Sequence, residues 1–323
     1  MNTAILLITF NRFDTVRRVF EQIQIAKPPR LYIASDGARK NIPNEKVIVD
    51  EIRQWILDNI NWDCQINTLF RDENLGCDKN IPNAINWFFE TENAGIILED
   101  DCLPSQTFFK FCELALEKYE SNKNIWHIGG SNSTDISIAN NSDSAYLSKC
   151  MNCWGWATWK NRWQYFNADL TNYNPAKICD DFKNISEQIY WLRILYRDRH
   201  NKLKSWDYQW ALNIIEHQGL CVVPCKNLIQ NIGFEGTHYK QNKKSKLLAR
   251  QKNFELENIN LPDVITYSNE YDNLLFKKFF RIKSFIFKFL LRFLAEIITF
   301  KYNEESSTII RQIIEVNQKR IRN

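Results

Sequence analysis

Glycine and proline are both scarce in this 323-residue chain, at 9 and 8 residues. That leaves no material for long flexible or polyproline linkers. The N-terminal stretch, Met1-Asn2-Thr3-Ala4 running into Ile5-Leu6-Leu7-Ile8, lacks the charged start and the long apolar core of a secretion signal. No segment repeats at a fixed period. No G-x-G-x-x-G turn follows the first apolar stretch, which argues against a classical dinucleotide site. The nine cysteines are odd in number and scattered, so they read as mostly free thiols of a reducing cytosol rather than a disulfide framework. Cys150 with Cys153, and Cys221 with Cys225, are close pairs, but their spacing is poor for a four-thiolate zinc site.

Hydrophobic residues make up 44% and charged residues 25%, the proportions of an ordinary globular chain with a full core. Aromatics reach 14%, with 11 Trp and 21 Phe, a surplus that suits a thick core or a site that stacks flat ligands. The net charge of +4 is unevenly placed. Residues 271–323 carry 11 Lys and Arg against 5 Asp and Glu, so the remainder is slightly acidic. A slightly acidic body excludes nucleic acid as the natural partner.

Strand and helix patterns alternate through the first 120 residues. Ala4–Thr9 is a short apolar strand, and Asp14–Ile25 has helical period with Val16, Val19, Phe20 and Ile23 on one face and Asp14 as cap. Leu31–Ser35, Gln65–Phe70 and Gly95–Leu98 read as further strands. Lys46–Ile60, Asn80–Thr91 and Ser105–Glu120 read as helices, the first with Val47, Val49, Ile52, Ile56 and Ile60 as its apolar set. Such alternation predicts a mostly parallel sheet with helices on both faces. Ligands of these sheets bind beyond the carboxyl ends of the strands. Polar residues stand at each of those ends: Thr9, Asn11 and Arg12; Asp36; Arg71; and Glu99-Asp100-Asp101. Beyond Lys123 the pattern loosens into a strand at Ile125–Ser131, an irregular aromatic stretch at Tyr146–Trp159, helices at Ile185–Tyr196 and Asp207–His217, a strand at Leu220–Pro224 and a basic loop at Gly233–Lys252.

Three adjacent carboxylates repel one another unless a cation sits among them, and an oxygen-only set suits Mg2+ or Mn2+. The plainer reading of Glu99-Asp100-Asp101 is a helix cap before Ser105; its place after a buried strand favours the cation. For Asp36 before Gly37 the plainer reading is an ordinary turn.

Taken in order, Ile8-Thr9-Phe10-Asn11-Arg12, Ser35-Asp36-Gly37, Arg71 with Asn74-Leu75-Gly76, Ile97-Leu98-Glu99-Asp100-Asp101, Trp154-Gly155-Trp156, Ser205-Trp206-Asp207 and Gly233 to His238 resemble the nucleotide-sugar glycosyltransferases of the GT-A fold. The likeness is to inverting enzymes of the family 2 type and the N-acetylglucosaminyltransferase I-like branch, and it covers about three quarters of the chain. The resemblance implies that Asp101 is the direct ligand of Mn2+ or Mg2+ against the donor diphosphate, with Glu99 and Asp100 toward ribose, sugar or metal-bound water. It implies that Thr9, Asn11 and Arg12 cradle the nucleotide, Asp36 binds base or ribose, and Arg71 neutralises phosphate. Asp207, after Trp206 at a helix start, would be the general base; the related N-acetylglucosaminyltransferases carry two acids there, whereas Tyr208 follows Asp207 here. His238 would reach metal or diphosphate from a loop with two glycines, followed by Lys240, Lys243, Lys244, Lys246, Arg250 and Lys252. Trp154, Gly155 and Trp156 would form a sugar platform, one ring facing the site and the other buried, with Asn132 a weaker contact.

Phe276–Phe300 places Lys277, Arg281, Ser284, Lys288, Arg292 and Glu296 at three- and four-residue steps among Phe, Ile and Leu. That is an amphipathic helix with a narrow charged stripe, unsuited to spanning and suited to lying on an anionic membrane; the plainer reading is a helix packed on the body or in a dimer with its charges outward. The expected organisation is a transferase domain over 1–270, divided into a nucleotide-binding half (1–122) and an acceptor half with lid loop (123–270), then a basic helical tail over 271–323. The expected activity is metal-dependent inverting transfer of a hexosyl or N-acetylhexosaminyl group. The donor would be a nucleotide diphosphate sugar, favouring UDP, and the acceptor a hydroxyl of a cell-surface or lipid-linked glycan, as in polysaccharide biosynthesis. The expected location is cytoplasmic, peripheral on the inner face of the cytoplasmic membrane. The alternatives are a sugar nucleotidyltransferase, for which the glycine-rich basic loop after the first strand is missing, and a silent glycan-binding or scaffold protein of the same fold.

Overall fold

The computed structural model describes residues 1–134, 144–203, 205–233, 251–265, 267–279, 287–290 and 303–322. They divide into two units: Met1–Tyr165 with Leu220–Ser268, and Phe166–Gly219 with Asn269–Asn323.

The first unit begins with β1 (Ala4–Thr9), α1 (Phe13–Ala26), β2 (Arg30–Ser35), α2 (Glu45–Asp58), β3 (Gln65–Phe70), α3 (Cys77–Thr91) and β4 (Ala94–Glu99). It continues with β5 (Cys102–Pro104), α4 (Gln106–Tyr119), β6 (Ile125–Gly129), β7 (Ala145–Ser148), β8 (Trp156–Trp159) and α5 (Lys160–Trp163). The second unit holds α6 (Ala176–Asp181), α7 (Ile185–Arg199) and α8 (Trp206–Glu216); the chain then returns to the first for β9 (Leu220–Pro224) and β10 (Ile229–Asn231). Two last helices, α9 (Asn269–Leu274) and α10 (Glu304–Arg322), belong to the second unit.

Eight strands form one sheet in the order β3-β2-β1-β4-β8-β6-β9-β7. The β3-β2-β1-β4 half is parallel throughout; β8 runs antiparallel between β4 and β6, and β7 antiparallel to β9. The expected mixed α/β architecture, with a mostly parallel sheet and helices on both faces, is therefore what the chain adopts. Period-two alternation sends Ile5, Leu7, Leu31, Ile33, Ile96 and Leu98 to one core with Val16, Val19, Phe20 and Ile23 of α1, Ile52 and Ile56 of α2 and Phe108 and Phe111 of α4. On the other face Tyr32 meets Trp87 and Phe88 of α3 edge-on, at 5.3 and 4.9 Å. Burying apolar surface on both sides explains why these strands read as unbroken apolar runs.

Several sequence expectations change. The four apolar residues assigned to α1 are buried as expected, but Asp14 does not cap the helix: Arg12 holds the cap position, and its side chain makes no capping bond. In α2, Val47 points outward at 65% exposure, while Val49, Ile52 and Ile56 turn in. The stretch Tyr146–Trp159 is irregular only in its middle: its two ends lie in β7 and β8, whose residues are all buried. The two-stranded ribbon of β5 and β10 was not foreseen. The N-terminal amides of α4 are satisfied from far along the chain, where Glu255 accepts from Gln106 and Thr107, both at 2.8 Å. No side-chain bond of Ser105 caps that helix.

In the second unit, Phe276, in the π-helical turn after α9, is buried and meets Phe182 and Tyr190 edge-on at 5.8 and 6.1 Å. Arg193 of α7 pairs with Glu305 of α10 at 2.5 Å. Within this unit the described part of the terminal segment packs with α7 and with Phe182 beside α6, because its aromatic and charged residues find partners there. Most of 276–300, the expected membrane helix, lies outside the described residues; at its start Phe276 faces protein. Among the described residues no helix is long and apolar enough to cross a membrane.

Phe88 is fully buried and occupies the space over Gly95, where an added Cβ would come within 2.2 Å of its ring. Phe88→Ala is expected to lower unfolding stability by about 3–5 kcal/mol. Urea titration measures this, and a loss under about 1 kcal/mol would show that this face is not packed as described.

Candidate functional site

The carboxyl ends of β1, β2, β3 and β4 lie along one edge of the sheet, because the four strands are parallel and neighbours. The register sets Ile8 beside Glu99, Thr9 beside Ser35 and Ser35 beside Phe70. The turns that follow carry Asn11 and Arg12, Asp36, Arg71, and Asp100 and Asp101, so the sequence-predicted donor residues of this unit are brought together.

The acidic end is held by one guanidinium. Arg12 Nη2 lies 2.5 Å from Asp100 Oδ1 and Nη1 lies 3.0 Å from Asp101 Oδ2. Asp100 is 3% exposed, and its second oxygen accepts the Phe10 amide at 3.1 Å. Burial raises the pKa of Asp100 and Arg12 pulls it back in part. Burial works against the Arg12 charge too, but the two carboxylates outweigh it and raise its pKa. Each member is thus tolerable only beside the others. Glu99, the last residue of β4, is half-buried.

Gly233 closes over this corner. The β5–β10 ribbon carries the chain back antiparallel, Ile232 donates its amide to the Asp101 carbonyl at 2.8 Å, and Gly233 follows. A Cβ on Gly233 would stand 2.1 Å from Asp101 Oδ2 and 2.5 Å from Arg12 Nη1. Only a bare Cα passes so near a carboxylate. His238 and the basic positions Lys240 to Arg250 lie outside the described residues; Lys252 is described.

Asp36 has a different place from the one its neighbours imply. Its Oδ1 accepts from Gly37 N and Leu75 N, both at 2.9 Å, and its Oδ2 from Asn74 Nδ2 and Gly76 N, both at 3.0 Å. A carboxylate offers about four lone-pair positions, and the chain itself fills them. Asp36 therefore fastens the 74–76 turn to the end of β2, and none of its acceptor capacity is left for base or ribose. Asn11 likewise turns inward, donating to Glu45 at 2.7 Å; Arg39 pairs with the same Glu45 at 2.5 Å, which lowers the Glu45 pKa. Thr9 is buried and bonds the Ala34 carbonyl at 3.5 Å. Arg71 stands apart: its Nε is buried with no hydrogen-bond partner among the described residues, which is costly for a charged donor unless something else accepts from it.

The aromatic platform divides. Trp154 is half-buried, while Trp156 is 1% exposed inside β8 and stacks on His127 at 4.9 Å. Trp156 is thereby a sheet-core residue, not a sugar-facing ring. Gly155, at φ +58°, is packed under Ile229, 2.5 Å from where its Cβ would stand. Asn132 is also taken: its side chain donates to the Tyr146 hydroxyl and the carbonyls of Pro224 and Cys225, and accepts from Thr134. It fixes loops rather than contacting ligand. None of the nine cysteines is in a disulfide, and no zinc-like cluster occurs among the described residues.

Asp207 belongs to the second unit, in the first turn of α8, with Trp206 buried before it. Ser205 Oγ donates to Asp207 Oδ1. Burial raises the pKa of Asp207, with Ser205 and local backbone amides pulling the other way. A desolvated carboxylate of raised pKa is a stronger base than an ordinary one.

Arg53, on the inner side of α2, went unnoticed in the sequence. It bonds the Ser35 hydroxyl and the carbonyls of Ser35, Asp36 and Arg71 at 2.7–3.3 Å. Its place between Val49 and Ile56, on the helix's apolar stripe, was the available signal.

No protein-family model matches the chain, and no curated protein matches it in sequence. Among solved structures it is similar to HddC from Yersinia pseudotuberculosis, at 12% identity over 49% of this chain and 77% of that one, with a TM-score of 0.30. It is similar to the glycosyltransferase GlyE of Streptococcus pneumoniae TIGR4, at 10% identity over 68% of this chain and 45% of that one, with a TM-score of 0.34. It is also similar to a UDP-glucose pyrophosphorylase in complex with UDP-glucose, at 10% identity over 68% and 97%, with a TM-score of 0.31. At these TM-scores the likenesses carry no argument for activity, and none of them supports the narrower N-acetylglucosaminyltransferase I-like branch.

His127 supplies a test of the core beside the site. It is fully buried, its Nε2 meets the Asn152 carbonyl at 3.0 Å, its Nδ1 has no partner, and burial lowers its pKa to about 3. The unfolded chain takes up this proton below about pH 6.5 and the folded chain does not, so stability falls with pH in between, by roughly 1.4 kcal/mol per unit below about pH 6. Unfolding curves at pH 7, 6 and 5 should show that slope, and His127→Gln should flatten it. An unchanged slope in the variant would mean His127 is not the group.

Proposed function

We propose that the chain is a metal-dependent inverting glycosyltransferase that uses a nucleotide diphosphate sugar, with UDP as the favoured carrier. The observation that carries this reading is that Arg12 with the Asp100–Asp101 pair, and Arg71 with an Nε that has no acceptor among the described residues, follow strands β1, β4 and β3 of one parallel half-sheet, at the same edge. Two guanidiniums and a carboxylate at a sheet's ligand edge suit a diphosphate and a divalent cation.

The fit to Mg2+ or Mn2+ can be judged from oxygens. Asp100 has both engaged, by Phe10 and Arg12. Asp101 gives Oδ2 to Arg12, while its Oδ1 meets the Cys102 thiol at 3.4 Å, a weak donor. That leaves one carboxylate oxygen, which suits a cation taking one or two carboxylates with substrate phosphate and water. Among the described residues no three His, Cys, Asp or Glu could hold an ion by themselves. The residues thus fit an ion shared with substrate, held by Asp101, with His238 as a second proposed ligand. Bound there, the cation would supply Lewis-acid stabilisation of the leaving diphosphate.

The chain's own residues do the rest. Arg12 and Arg71 bind and neutralise phosphate oxygens as charge builds on them. Glu99 contacts ribose or sugar, and Trp154 supports the sugar ring. Asp207 accepts the acceptor hydroxyl's proton as its oxygen attacks the anomeric carbon; the bond from that carbon to phosphate breaks, and the nucleoside diphosphate leaves with the electron pair. Attack opposite the leaving group inverts the centre without a covalent enzyme intermediate. With the pKa of Asp207 raised, the acid limb of activity falls above the ordinary carboxylate range.

The same reading gives the acceptor as a lipid-linked glycan and a membrane-surface role to 276–300, supported by Phe287 and Leu290, exposed at 64% and 47%, beside exposed Lys288. Flotation with phosphatidylglycerol vesicles should retain the full chain and lose it in Phe287→Asp; equal retention of both would set the membrane role aside.

Thermal melting with Mn2+ or Mg2+ across UDP, GDP, CDP and dTDP tests the reading directly. A metal-dependent rise with one nucleotide is expected. Asp101→Asn should abolish the metal dependence, while Asp207→Asn should keep the rise and lose at least about 100-fold in transfer. No rise with any nucleotide at millimolar concentration would overturn the assignment.

A further inference from the structure

We infer that Arg53 is a positioning residue that aims Arg71 at the donor phosphates by tying the ends of β2 and β3 into one rigid corner; the phosphate part of this rests on the function proposed above.

The geometry is a clamp. Arg53 rises from α2 four residues after Val49 and three before Ile56, both fully turned into the core. Its Nε donates to Ser35 Oγ at 3.0 Å. Its Nη2 reaches three carbonyls, those of Ser35 at 3.3 Å, Asp36 at 3.1 Å and Arg71 at 2.7 Å. Asp50 stands 3.5 Å from Nη1, and the Phe70 ring lies 5.1 Å from the guanidinium carbon. A planar fork can join two strand ends this way; a single ammonium cannot.

What the clamp holds is the site. The Arg71 amide bonds the Ser35 carbonyl at 3.0 Å, so Arg53 and the ladder together fix the Arg71 backbone on both sides. From Asp36 the fixation passes through its carboxylate to Leu75 and Gly76. Gly76 then accepts from Lys79 and Asn80 at 3.2 and 2.8 Å in the first turn of α3. Gly37 seals the corner: its missing Cβ would stand 2.3 Å from the Glu73 carbonyl carbon. The corner thus runs from α2 to α3 without a break, and it carries Arg71, whose buried Nε has no hydrogen-bond partner among the described residues. A guanidinium left so and carried on a fixed backbone is preorganised for an anion. Arg53 itself has its donors turned to carbonyls, and burial lowers its pKa; it holds, and Arg71 binds.

The test is a double-mutant cycle on nucleoside diphosphate affinity, read by calorimetry with Mn2+ present, using the nucleotide that wild type binds best. Arg71→Gln is expected to weaken binding by 10-fold or more. Arg53→Lys should weaken it by a similar factor, and the double variant no further than Arg71→Gln alone, because Arg53 acts through Arg71. Losses that multiply would overturn the positioning role, since a merely structural residue lowers affinity independently of Arg71. Hydrogen exchange separates this inference from the function. Arg53→Lys should speed exchange of the Leu75 and Gly76 amides while leaving the β1 amides protected, whether or not any nucleotide binds. Unchanged exchange at those two amides would overturn the clamp. Wild type that binds no nucleotide, with the exchange effect present, would instead count against the transferase reading alone. If Arg53→Lys does not fold, Ser35→Ala removes one acceptor of the clamp and is read by the same cycle and the same amides.

Discussion

Arg12 is the counter-ion on which the acidic corner depends. Asp100 is almost wholly buried and Asp101 nearly so, side by side at the end of β4, and two such carboxylates are not held together without positive charge. The charge comes from the end of β1, the neighbouring parallel strand, through a fork that touches both. Because Arg12 is in the turn that opens α1, helix, strand pair and acidic corner are placed together. Because Gly233 passes within van der Waals reach of the same pair, the return of the chain along β10 is placed by it as well. The corner is therefore where the order of the parallel strands becomes a chemical arrangement.

A second corner, at the ends of β2 and β3, is built from backbone rather than charge. Asp36 gathers amides, Arg53 gathers carbonyls, and between them the peptide groups that the strands leave unpaired at their ends are satisfied. This is what lets the Arg71 guanidinium stand with an unpartnered Nε. The two corners differ in kind. The acidic one holds charges that need each other, and the other carries a charge whose Nε has no acceptor among the described residues. A diphosphate bridging them would relieve both, by giving Arg71 an acceptor and Asp101 a shared cation.

Much of this was legible in the sequence because strand and helix alternate cleanly up to Glu120, and the parallel order then forces the polar strand ends together. The four α1 core residues and the bounds of β3 follow from periodicity alone. What was not legible has physical causes. Asp36 and Asn132 look like ligand residues by type, yet the Asp36 carboxylate accepts from Asn74, Leu75 and Gly76, and the Asn132 side chain donates to the carbonyls of Pro224 and Cys225, partners far along the chain that no local pattern shows. That one ring of the Trp154–Trp156 pair would be buried was expected, but which one follows from the strand bounds: Trp156 lies in β8 and Trp154 precedes it. Arg53 was hidden because a basic residue in an amphipathic helix is ordinarily solvated. Glu255 caps α4 across a separation that no capping motif spans. Phe276, at the start of the charge-striped terminal segment, meets Phe182 and Tyr190, partners far back in the chain that the stripe itself does not show.

The central claim is that the Arg12–Asp101 corner and Arg71 together receive a metal-bound nucleoside diphosphate. A crystal soaked with UDP and Mn2+, with data collected at the manganese edge, tests it most directly. The account predicts an anomalous peak within coordination distance of Asp101 Oδ1, with phosphate oxygens bonded to Arg71 Nε. A nucleotide seated elsewhere, or manganese away from Asp101 while the Arg71 Nε stays without an acceptor, would contradict it.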